Sequence, residues 1–457
     1  MRTPLSRRSA LSYLAGISVA GVHVACRPGG SRPGELPKGP GEAKLIAMLR
    51  PNQQELDILE EIFRQFEAKY PTIKVERVIG TGDAPYDDKT DALIAAGTPP
   101  ALWFPAANRG YRFYAARGLT QELDALINRD KFDLSDFYTG PLEFCKWNGK
   151  YNCLPIDVWP QILVFNKTLF DTDRVPYPSQ NWQDRSWNWE RFLQAAQALT
   201  KREADRTIQF GAVMNTGRFA EQIFGGDWFD EKAYETGYPD PRRFPANQQA
   251  VIDALQFLAD LIYRYHVQPT AQEASELRGT LPNIFLTGRV GMMSTTNGFF
   301  PTGAQIRGFQ WGVAAMPAPP SLPRLNWFFA DQWVIMKGQQ NLEAAWLLLK
   351  HMESPEMQRL KPLQLGALPA RKSLSSEWMR LQKEKTGLTD SDLRVVVDAV
   401  PISRITPSHA LVEYARIWSD AINPEQQKLF RGETTAKQAV EQIVPLALNI
   451  IRETNPK

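Results

Sequence analysis

The stretch EFCKWNGKYNCLPIDVWPQILVFNKTLF, residues 143–170, decides the fold. Its first part carries Asn148-Gly149, a strong signal for a tight hairpin turn. Its second part, from Leu154-Pro155 onward, is an apolar run that contains Asp157 and Trp159. Side chains two positions apart in a strand point to the same face. We therefore predict a strand whose Asp157 and Trp159 face a wet cleft, while its other face meets a core.

A purely structural interpretation of the same two residues stays open. Trp159 could serve as a packed hinge residue, and Asp157 could cap a helix or a turn. The residues after the strand do not separate the two interpretations, because either one allows the apolar run to be buried.

The two cysteines beside the turn leave a second question open. A strict two-residue loop pairs Cys145 with Asn152, whereas a three-residue loop with a glycine bulge places Cys145 opposite Cys153. Exported proteins can hold disulfides, so a Cys145–Cys153 disulfide and two reduced thiols are both open. Two cysteines with no nearby histidine make only half of a zinc site, and we predict no metal.

The first 26 residues, MRTPLSRRSALSYLAGISVAGVHVAC, have the pattern of an export signal. Basic residues come first, an uncharged stretch follows, and small residues lead to Cys26. We predict a signal over residues 1–25 and a lipid on Cys26, with ordinary cleavage near Ala25 as the alternative. The pair Arg7-Arg8 resembles a twin-arginine signal, so that export route and the general one both stay open.

The predicted mature chain begins with a flexible tether. Residues 26–42 are rich in Gly and Pro and show no apolar periodicity. Once the three arginines of the signal are removed, 50 basic residues face 50 acidic ones, and this balance argues against a nucleic-acid partner. The remaining chain of about 415 residues exceeds the ~250–300 residues of a single core, so we expect two domains.

Helical and strand patterns alternate along the chain. Residues 43–49 read as a strand, residues 55–70 as an amphipathic helix, and residues 73–78 as a second strand. This alternation predicts an α/β protein with a largely parallel sheet. Three tryptophans near or within helical patterns are expected to pack in the core, namely Trp187, Trp189 and Trp346.

Several segments together resemble the family 1 extracellular solute-binding proteins, the sugar-type receptors of bacterial ABC importers. They occur in the family's order over about 370 residues. The matching segments are FRQFEAKYPTIKVE, LIAAGTPPALWF, GKYNCLPIDVWPQILVFNKTLF, SWNWERFLQAAQAL, FLTGRVGMM, WGVAAMPAPP, AAWLLLKHMESPEMQ and GALPARKSL.

The resemblance implies a two-lobed fold of the type II periplasmic-binding-protein class, with a ligand cleft between lobes joined by crossover strands. Lobe 1 would comprise residues 43–157 and 312–364, and lobe 2 residues 158–311 and 365–457. The first crossing would follow Leu154-Pro155 and the second would lie near Trp311–Met316. The protein would be a monomer that delivers a mono- or oligosaccharide to the transmembrane subunits of a permease.

Aromatic rings that stack on sugar C–H faces and polar groups that meet hydroxyls suit such a cleft. The residues expected to line it are Asn52, Trp103, Asp157, Trp159, Asp227, Trp228, Asn297, Phe299, Phe300, Trp327, Asp331 and Arg371.

Other functions remain as alternatives. A charged solute such as a glycerol phosphate or a polyamine could occupy the cleft, and a sensor lipoprotein without transport could use the same fold. The sequence contains no Gly-x-Ser-x-Gly, His-Glu-x-x-His or P-loop motif. We therefore predict neither an enzyme nor a cofactor, and we expect the protein in the periplasm or on the outer face of the cytoplasmic membrane.

Overall fold

Helices and strands alternate through most of the chain. The structure is a computed structural model that describes residues 41–105, 109–204, 206–217, 220–244, 248–319 and 326–455. The predicted export signal, Cys26 and residues 27–40 of the predicted tether lie outside these residues. Within the described residues, no helix has both the length and the apolar character that crossing a membrane requires.

The described strands are β1 (Ala43–Leu49), β2 (Ile73–Ile79), β3 (Leu102–Trp103), β4 (Lys146–Trp147), β5 (Lys150–Tyr151), β6 (Leu154–Asn166), β7 (Lys201–Glu203), β8 (Arg206–Val213), β9 (Val290–Thr296), β10 (Trp311–Ala314), β11 (Asn326–Trp333), β12 (Leu368–Pro369) and β13 (Ser403–Ile405).

The described α-helices are α1 (Gln53–Lys69), α2 (Asp83–Ala95), α3 (Gly110–Ala115), α4 (Asp124–Asp130), α5 (Thr139–Phe144), α6 (Lys167–Asp173), α7 (Trp189–Leu199), α8 (Glu231–Thr236), α9 (Gln248–Tyr263), α10 (Ala271–Arg278), α11 (Phe300–Gly303), α12 (Leu342–Met352), α13 (Pro355–Leu365), α14 (Ser375–Thr386), α15 (Asp390–Ala399), α16 (Pro407–Ala410), α17 (Tyr414–Ile417), α18 (Asn423–Phe430) and α19 (Ala436–Thr454). A π-helical turn, Trp418–Ile422, joins α17 to α18.

The first strands form a small parallel sheet. Its order is β2-β1-β3, with β1 parallel to both neighbours. Helix α1 connects β1 to β2, and it begins at Asn52 because this residue and Glu55 form a capping box. Helix α2 connects β2 to β3. This is the β-α-β opening that the sequence predicts.

Strand β6 is the centre of the larger sheet, whose strand order is β13-β11-β6-β9-β8-β7. Proline is normally excluded from central strands because it cannot donate to the ladder. Here Pro155 lies opposite Gln332, where the pairing register shifts. Pro160 lies where β11 stops pairing with β6 and β9 begins to pair from Gln161 onward. Both prolines therefore stand where the hydrogen-bonding partner of β6 changes.

The prediction of a largely parallel sheet is wrong for this larger sheet. All four strands that pair with β6, namely β9, β10, β11 and β12, run antiparallel to it. Among the described strands of this larger sheet, parallel pairs occur only away from β6. They join β8 to β9 and β11 to β13. A strand buried on both faces reads as an apolar run whatever the direction of its neighbours, so the sequence pattern of β6 did not reveal their direction.

Strand β11 connects the two sheets. Its first part pairs with β6 and β13, and the residue after it, Val334, pairs with Trp103 of the small sheet. Strand β10, in contrast, pairs with the second half of β6. By these pairings, the chain comes back to the small sheet at the end of β11 rather than at β10. The lobe boundaries given above stay a prediction.

The hairpin has the strict two-residue loop. Lys146 pairs with Tyr151 and Trp147 with Lys150, and both loop residues, Asn148 and Gly149, have positive φ, as a type I′ turn requires. Cys145 ends α5 and lies opposite Asn152, whose N–H donates to its carbonyl. The structure nonetheless joins Cys145 to Cys153 by a disulfide, so the strict loop does not exclude the bond.

We expect the Cys145→Ala/Cys153→Ala variant to unfold more easily than the wild type. Closing a loop between residues eight apart restricts the unfolded chain, and its loss should cost about 2–3 kcal/mol of unfolding free energy. Urea denaturation of both proteins under oxidising conditions measures the difference. Reduced wild type is the matched control and should resemble the variant. Equal stability of the oxidised wild type and the variant would contradict the prediction.

Candidate functional site

One face of the β6–β11 pair carries the polar and aromatic residues that the sequence singles out. Trp159 lies opposite Phe329 and Asp157 opposite Asp331, so the side chains of one strand meet those of the other on a common face. We call this face, with Gln161 and Trp327 at its far end, the β6–β11 face. Trp159 and Gln161 are the partly exposed residues of β6. Trp159 is partly exposed, and its place in a ligand cleft stays a prediction.

Asp157 differs from the sequence prediction of a wet face. Its exposed fraction is 1%, so it does not meet water in this structure, although it shares a face with Trp159. Its backbone lies between two neighbours, Asp331 of β11 on one edge and Pro369 of β12 on the other. A ligand contact by Asp157 stays a prediction.

Trp159 and Asp331 form the polar centre of the face. The indole Nε1–H of Trp159 donates to Oδ2 of Asp331 at 3.3 Å. Gly298, after β9, lies against the ring, since a Cβ there would come within 3.2 Å of Trp159 Cζ3. The ring is therefore held by one hydrogen bond and one close backbone approach while part of its surface stays exposed. A partly exposed ring beside a carboxylate can offer an apolar surface and a hydrogen-bond acceptor to one solute.

Arg404 continues the face onto β13. It pairs in register with Trp327, and its guanidinium lies 4.3 Å from the Trp327 ring and 4.0 Å from the Tyr234 ring. Its two outer nitrogens bind the carboxylates of Asp227 and Glu231. The cation thus contacts two aromatic rings and is neutralised by two acids, so this end of the face carries no excess positive charge.

Asp227 is held in a nearly closed shell. Its carboxylate accepts from the Tyr234 hydroxyl at 2.7 Å and from the Phe229 N–H at 3.0 Å, and it pairs with Arg404. Burial raises the pKa of Asp227 to about 6, although Arg404 and Tyr234 both oppose the rise. All the hydrogen bonds described for Asp227 go to other residues of the protein. A ligand contact by Asp227, which the sequence predicts, would have to compete with these bonds.

A recess opens beside Trp327. Its volume is about 70 Å³, below the ~300–1,000 Å³ of typical small-molecule sites. Its walls combine aromatic, apolar and amide side chains with the backbone of two glycines. The lining residues are Gln161, Trp189, Gln222, Ile223, Gly225, Gly226, Met316, Pro317, Pro319, Asn326, Trp327 and Arg404.

The segment after β9 does not present its aromatic rings to a cleft in this structure. Phe299 packs edge-on against Phe285 and Trp311, whereas Phe300 packs edge-on against Trp311 and stacks on Trp378. Both phenylalanines are buried. Asn297 is buried as well and donates from Nδ2 to the Gly366 carbonyl at 3.1 Å. The expected stacking of these rings on a solute stays a prediction, and the contacts observed are those of a core.

Trp228, Trp103 and Asn52 also have structural roles. Trp228 is buried and stacks on Phe244 with 5° between the rings. Trp103 is buried with its ring 4.7 Å from that of Tyr114. Asn52 caps α1 through its side chain. The structure does not bring these three residues onto the β6–β11 face.

Arg371 is bound internally. Its Nε donates to the Glu353 carbonyl at 2.9 Å, and its Nη1 contacts Asp136 at 3.2 Å. The guanidinium also lies 4.2 Å from the Phe137 ring. An arginine held by a carbonyl, a carboxylate and a ring positions secondary structure, so a ligand contact by Arg371 would have to compete with these bonds.

Sequence reasoning missed several residues of this region. Gln161 follows Asp157 and Trp159 in the same alternation, so extending that pattern by one step would have found it. Arg404 and Gln222 gave no comparable signal, because their neighbours in space are far away in the sequence. Trp189 is buried as predicted for a packing residue, as are Trp187 and Trp346, but its ring also lines the recess.

Comparison with known proteins identifies the family. The model for bacterial extracellular solute-binding proteins matches residues 50–359. The chain belongs to this family. One relative, described as a binding protein of Brucella abortus, is 24% identical over 360 residues, which are 76% of this chain and 79% of the relative.

Solved structures of solute-binding proteins share the fold. An ABC substrate-binding protein of Listeria monocytogenes, in complex with cycloalternan, has a TM-score of 0.70 at 21% identity, over 90% of this chain and 99% of that one. The maltodextrin-binding domain of Bdellovibrio bacteriovorus, bound to maltotriose, has a TM-score of 0.65 at 19% identity, over 90% and 100%. The predicted two-lobed α/β fold with a cleft between its lobes is confirmed. The family and these neighbours are solute-binding proteins rather than enzymes.

Proposed function

We propose that this solute-binding protein is the extracytoplasmic receptor of an ABC importer, that it binds a mono- or oligosaccharide, and that it delivers the sugar to the permease. The observation that carries the ligand class is the partly exposed Trp159 ring with Asp331 hydrogen-bonded at its edge. Sugars present C–H faces and hydroxyls together, and such a pair meets both. Cycloalternan and maltotriose, found in the two structural neighbours, support the same class.

The charge of the site supports an uncharged ligand over a phosphate. Arg404, the cation of the β6–β11 face, is already paired with Asp227 and Glu231. A glycerol phosphate would find Asp331 nearby and no unpaired cation among the described residues of this face. A polyamine is the second candidate, because Asp331 lies beside the partly exposed Trp159 ring and an ammonium can bind an aromatic face.

Export and anchoring complete the proposal. We propose an export signal over residues 1–25, lipidation of Cys26, a monomeric receptor, and lobes bounded as the resemblance implies. The sequence of the amino terminus supports the first two, and mass spectrometry of the mature amino terminus tests them. A sensor lipoprotein that signals without transport would have a signalling partner instead of a permease. Co-purification with permease subunits would distinguish a transport receptor from such a sensor.

We expect a selective rise in melting temperature with one class of saccharide and no rise with glycerol phosphates or polyamines. A ligand that binds only the folded state at about 100 times its Kd stabilises it by ~2.7 kcal/mol.

The Trp159→Ala variant should bind the same saccharide about 10- to 100-fold more weakly, because a buried aromatic surface contributes ~1.5–3 kcal/mol. Calorimetric titration measures the Kd of the saccharide for the wild type and for the Trp159→Ala variant.

The matched control is Tyr177→Ala, which removes an exposed aromatic ring outside the β6–β11 face and should leave Kd unchanged. Equal saccharide affinity of the Trp159→Ala variant and wild type would show that the ring is not part of the site. A response to a polyamine alone would replace the carbohydrate assignment with the second candidate.

A further inference from the structure

A surface groove lies between the end of α6 and one side of α7. It is lined by residues 173–177, by part of the loop that follows them, and by α7 from Arg191 to Ala198. We call it the α6–α7 groove. Its volume is about 570 Å³, within the ~300–1,000 Å³ of small-molecule sites. None of its lining residues belongs to the β6–β11 face or to the recess beside Trp327, so the proposed saccharide function does not use this groove.

The groove contains an exposed aromatic ring and further apolar surface. Tyr177 is 46% exposed, although its ring contacts Phe165 and Phe170. Its hydroxyl donates to Asp171 at 2.7 Å, so what the ring can still offer a ligand is carbon surface. The other apolar residues of the groove are Val175, Pro176, Trp187, Ala195 and Ala198. A ligand with an apolar body would be partly removed from water here.

Two arginines of the groove have no ionic partner. Arg174 directly follows α6, Arg191 lies in the first turn of α7, and both are exposed. Arg191 donates to the neutral amide of Gln194 at 3.2 Å. In the part of the chain that the structure describes, neither guanidinium forms an ion pair with a carboxylate. The positive end of a helix dipole also favours an anion near its first turn, so an anion beside Arg191 would be attracted by both.

The two acids of the groove are already bound to other groups of the protein. Asp173 pairs with Lys201 at 2.6 Å and accepts from Gln209 at 3.3 Å. Asp184 accepts from the N–H of Ser186 at 2.9 Å and from its hydroxyl at 2.6 Å. The acids therefore have their counter-charge or hydrogen bonds, whereas the arginines lack a counter-charge. This difference selects an anionic ligand over a cationic one.

We propose that the α6–α7 groove is a second ligand site, which binds a small organic carboxylate with its charged group against Arg174 and Arg191 and its apolar body on Tyr177. A guanidinium matches a carboxylate through two parallel hydrogen bonds, and an aromatic ring offers the body a flat apolar surface. The inference does not depend on the proposed saccharide function, because the two sites share no residue.

NMR titration of the wild-type protein with four small probes tests the ligand class. Benzoate carries both the carboxylate and the ring, benzamide loses only the charge, acetate loses only the ring, and benzylamine reverses the charge. We expect benzoate to bind at least threefold more tightly than each of the others, since an exposed ion pair contributes up to ~1 kcal/mol. Benzoate affinity should also fall as salt is added, because exposed charges are screened.

Variants of the two arginines test the place of binding. Arg174→Gln and Arg191→Gln should each weaken benzoate binding about threefold, the size of one exposed ion pair. Arg278→Gln is the matched control, because Arg278 is exposed, donates to the Leu281 carbonyl at 3.1 Å and lies outside the groove. It makes the same change of charge and should leave benzoate affinity unchanged. All three variants should keep the melting temperature and the saccharide affinity of the wild type.

Each outcome decides the inference. A loss of benzoate affinity of about twofold or more in both groove variants, with none in Arg278→Gln, supports it. A smaller loss in either groove variant overturns it, as does benzamide that binds as tightly as benzoate, or no binding of benzoate. Binding of the peptide acetyl-Phe-Asp-amide without binding of benzoate would replace the free carboxylate by a segment of a partner protein. Saccharide titration of the same samples reports separately on the proposed function, which stands or falls without changing the benzoate result.

Discussion

Replacing Arg112 by methionine should lower the free energy of unfolding by about 4 kcal/mol, because two buried carbonyls lose a charged donor worth ~1.5–3 kcal/mol each. Arg112 lies on α3 and is buried. Its Nη1 donates to the carbonyls of Tyr234 and Ala410, each at 2.8 Å. Methionine fills much of the same volume but cannot donate, so the variant isolates the hydrogen bonds.

The size of the expected effect follows from what Arg112 connects. Its two acceptors lie 122 and 298 positions away in the sequence, at α8 and α16. Its guanidinium also lies within 6 Å of the ring centres of Phe144 and Trp147. One side chain therefore ties three distant segments to the disulfide-bonded hairpin, and no neighbouring donor described can replace it at both carbonyls.

Arg117, just beyond the end of the same helix, is the matched control. Its side chain is 43% exposed, and it pairs with Glu413 at 3.0 Å. Exposed ion pairs contribute ~0–1 kcal/mol, so Arg117→Met should cost less than about 1 kcal/mol. Urea denaturation of the three proteins measures the difference. An Arg112→Met variant no less stable than Arg117→Met would show that the carbonyls find other partners.

The elements that sequence predicted best depend on local patterns. The Asn148-Gly149 turn, helix α1 with its cap, and the shared face of Asp157 and Trp159 are all set by residues within a few positions of one another. Local backbone preference and alternation are sufficient for such features. The same alternation predicts which residues share a face but not how deeply each is buried, which is why Asp157 is covered while Trp159 is not.

The parts that sequence missed depend on distant residues. Arg404 and Asp227 are 177 positions apart, and no local pattern links them. Phe299 and Phe300 illustrate a second limit, because an aromatic residue after a strand has the same local sequence whether it faces a ligand or packs on Trp311. Arg371 looked like a cleft cation for the same reason, since its partner Asp136 lies 235 positions away.

Replacing Arg404 by methionine should lower the free energy of unfolding by about 3–5 kcal/mol at pH 7, because it leaves the buried carboxylate of Asp227 without a cation. Arg404 pairs with Asp227 in a site whose carboxylate side chain is only 12% exposed. Its second partner, Glu231, is 73% exposed and contributes little. The loss therefore comes mainly from Asp227.

The pH dependence of this loss follows from the sign of the pKa shift. Burial already raises the pKa of Asp227 to about 6 in the folded protein, above the ~3.9 of an unfolded chain. The folded state therefore binds the proton more tightly, and the stability gained from protonation is lost as pH rises through the folded pKa. Removing Arg404 takes away an interaction that lowers this pKa, so the pKa of Asp227 should rise further.

We expect the Asp227→Asn substitution to rescue the Arg404→Met variant, because an amide carries no charge to bury. The advantage of the double variant over the single one should shrink by at most about 2.7 kcal/mol between pH 7 and pH 5, since each pH unit between the unfolded and the folded pKa of Asp227 is worth ~1.36 kcal/mol. Denaturation curves of both variants at the two pH values measure this. Arg243→Met is the matched control, because its pair with Asp230 at 3.1 Å is exposed and should matter little.

Rescue would identify the arginine as the counter-ion of one buried acid. An advantage that does not change with pH would instead place the cost in the packing of the guanidinium against Trp327 and Tyr234. In that case the arginine would act mainly through its contacts with the two rings. Saccharide affinity separates the two roles, because Arg404→Met with Asp227→Asn keeps the charge balance of the buried pair and loses the guanidinium's contacts with the two rings. A double variant that is stable but binds weakly would assign Arg404 to the shape of the recess.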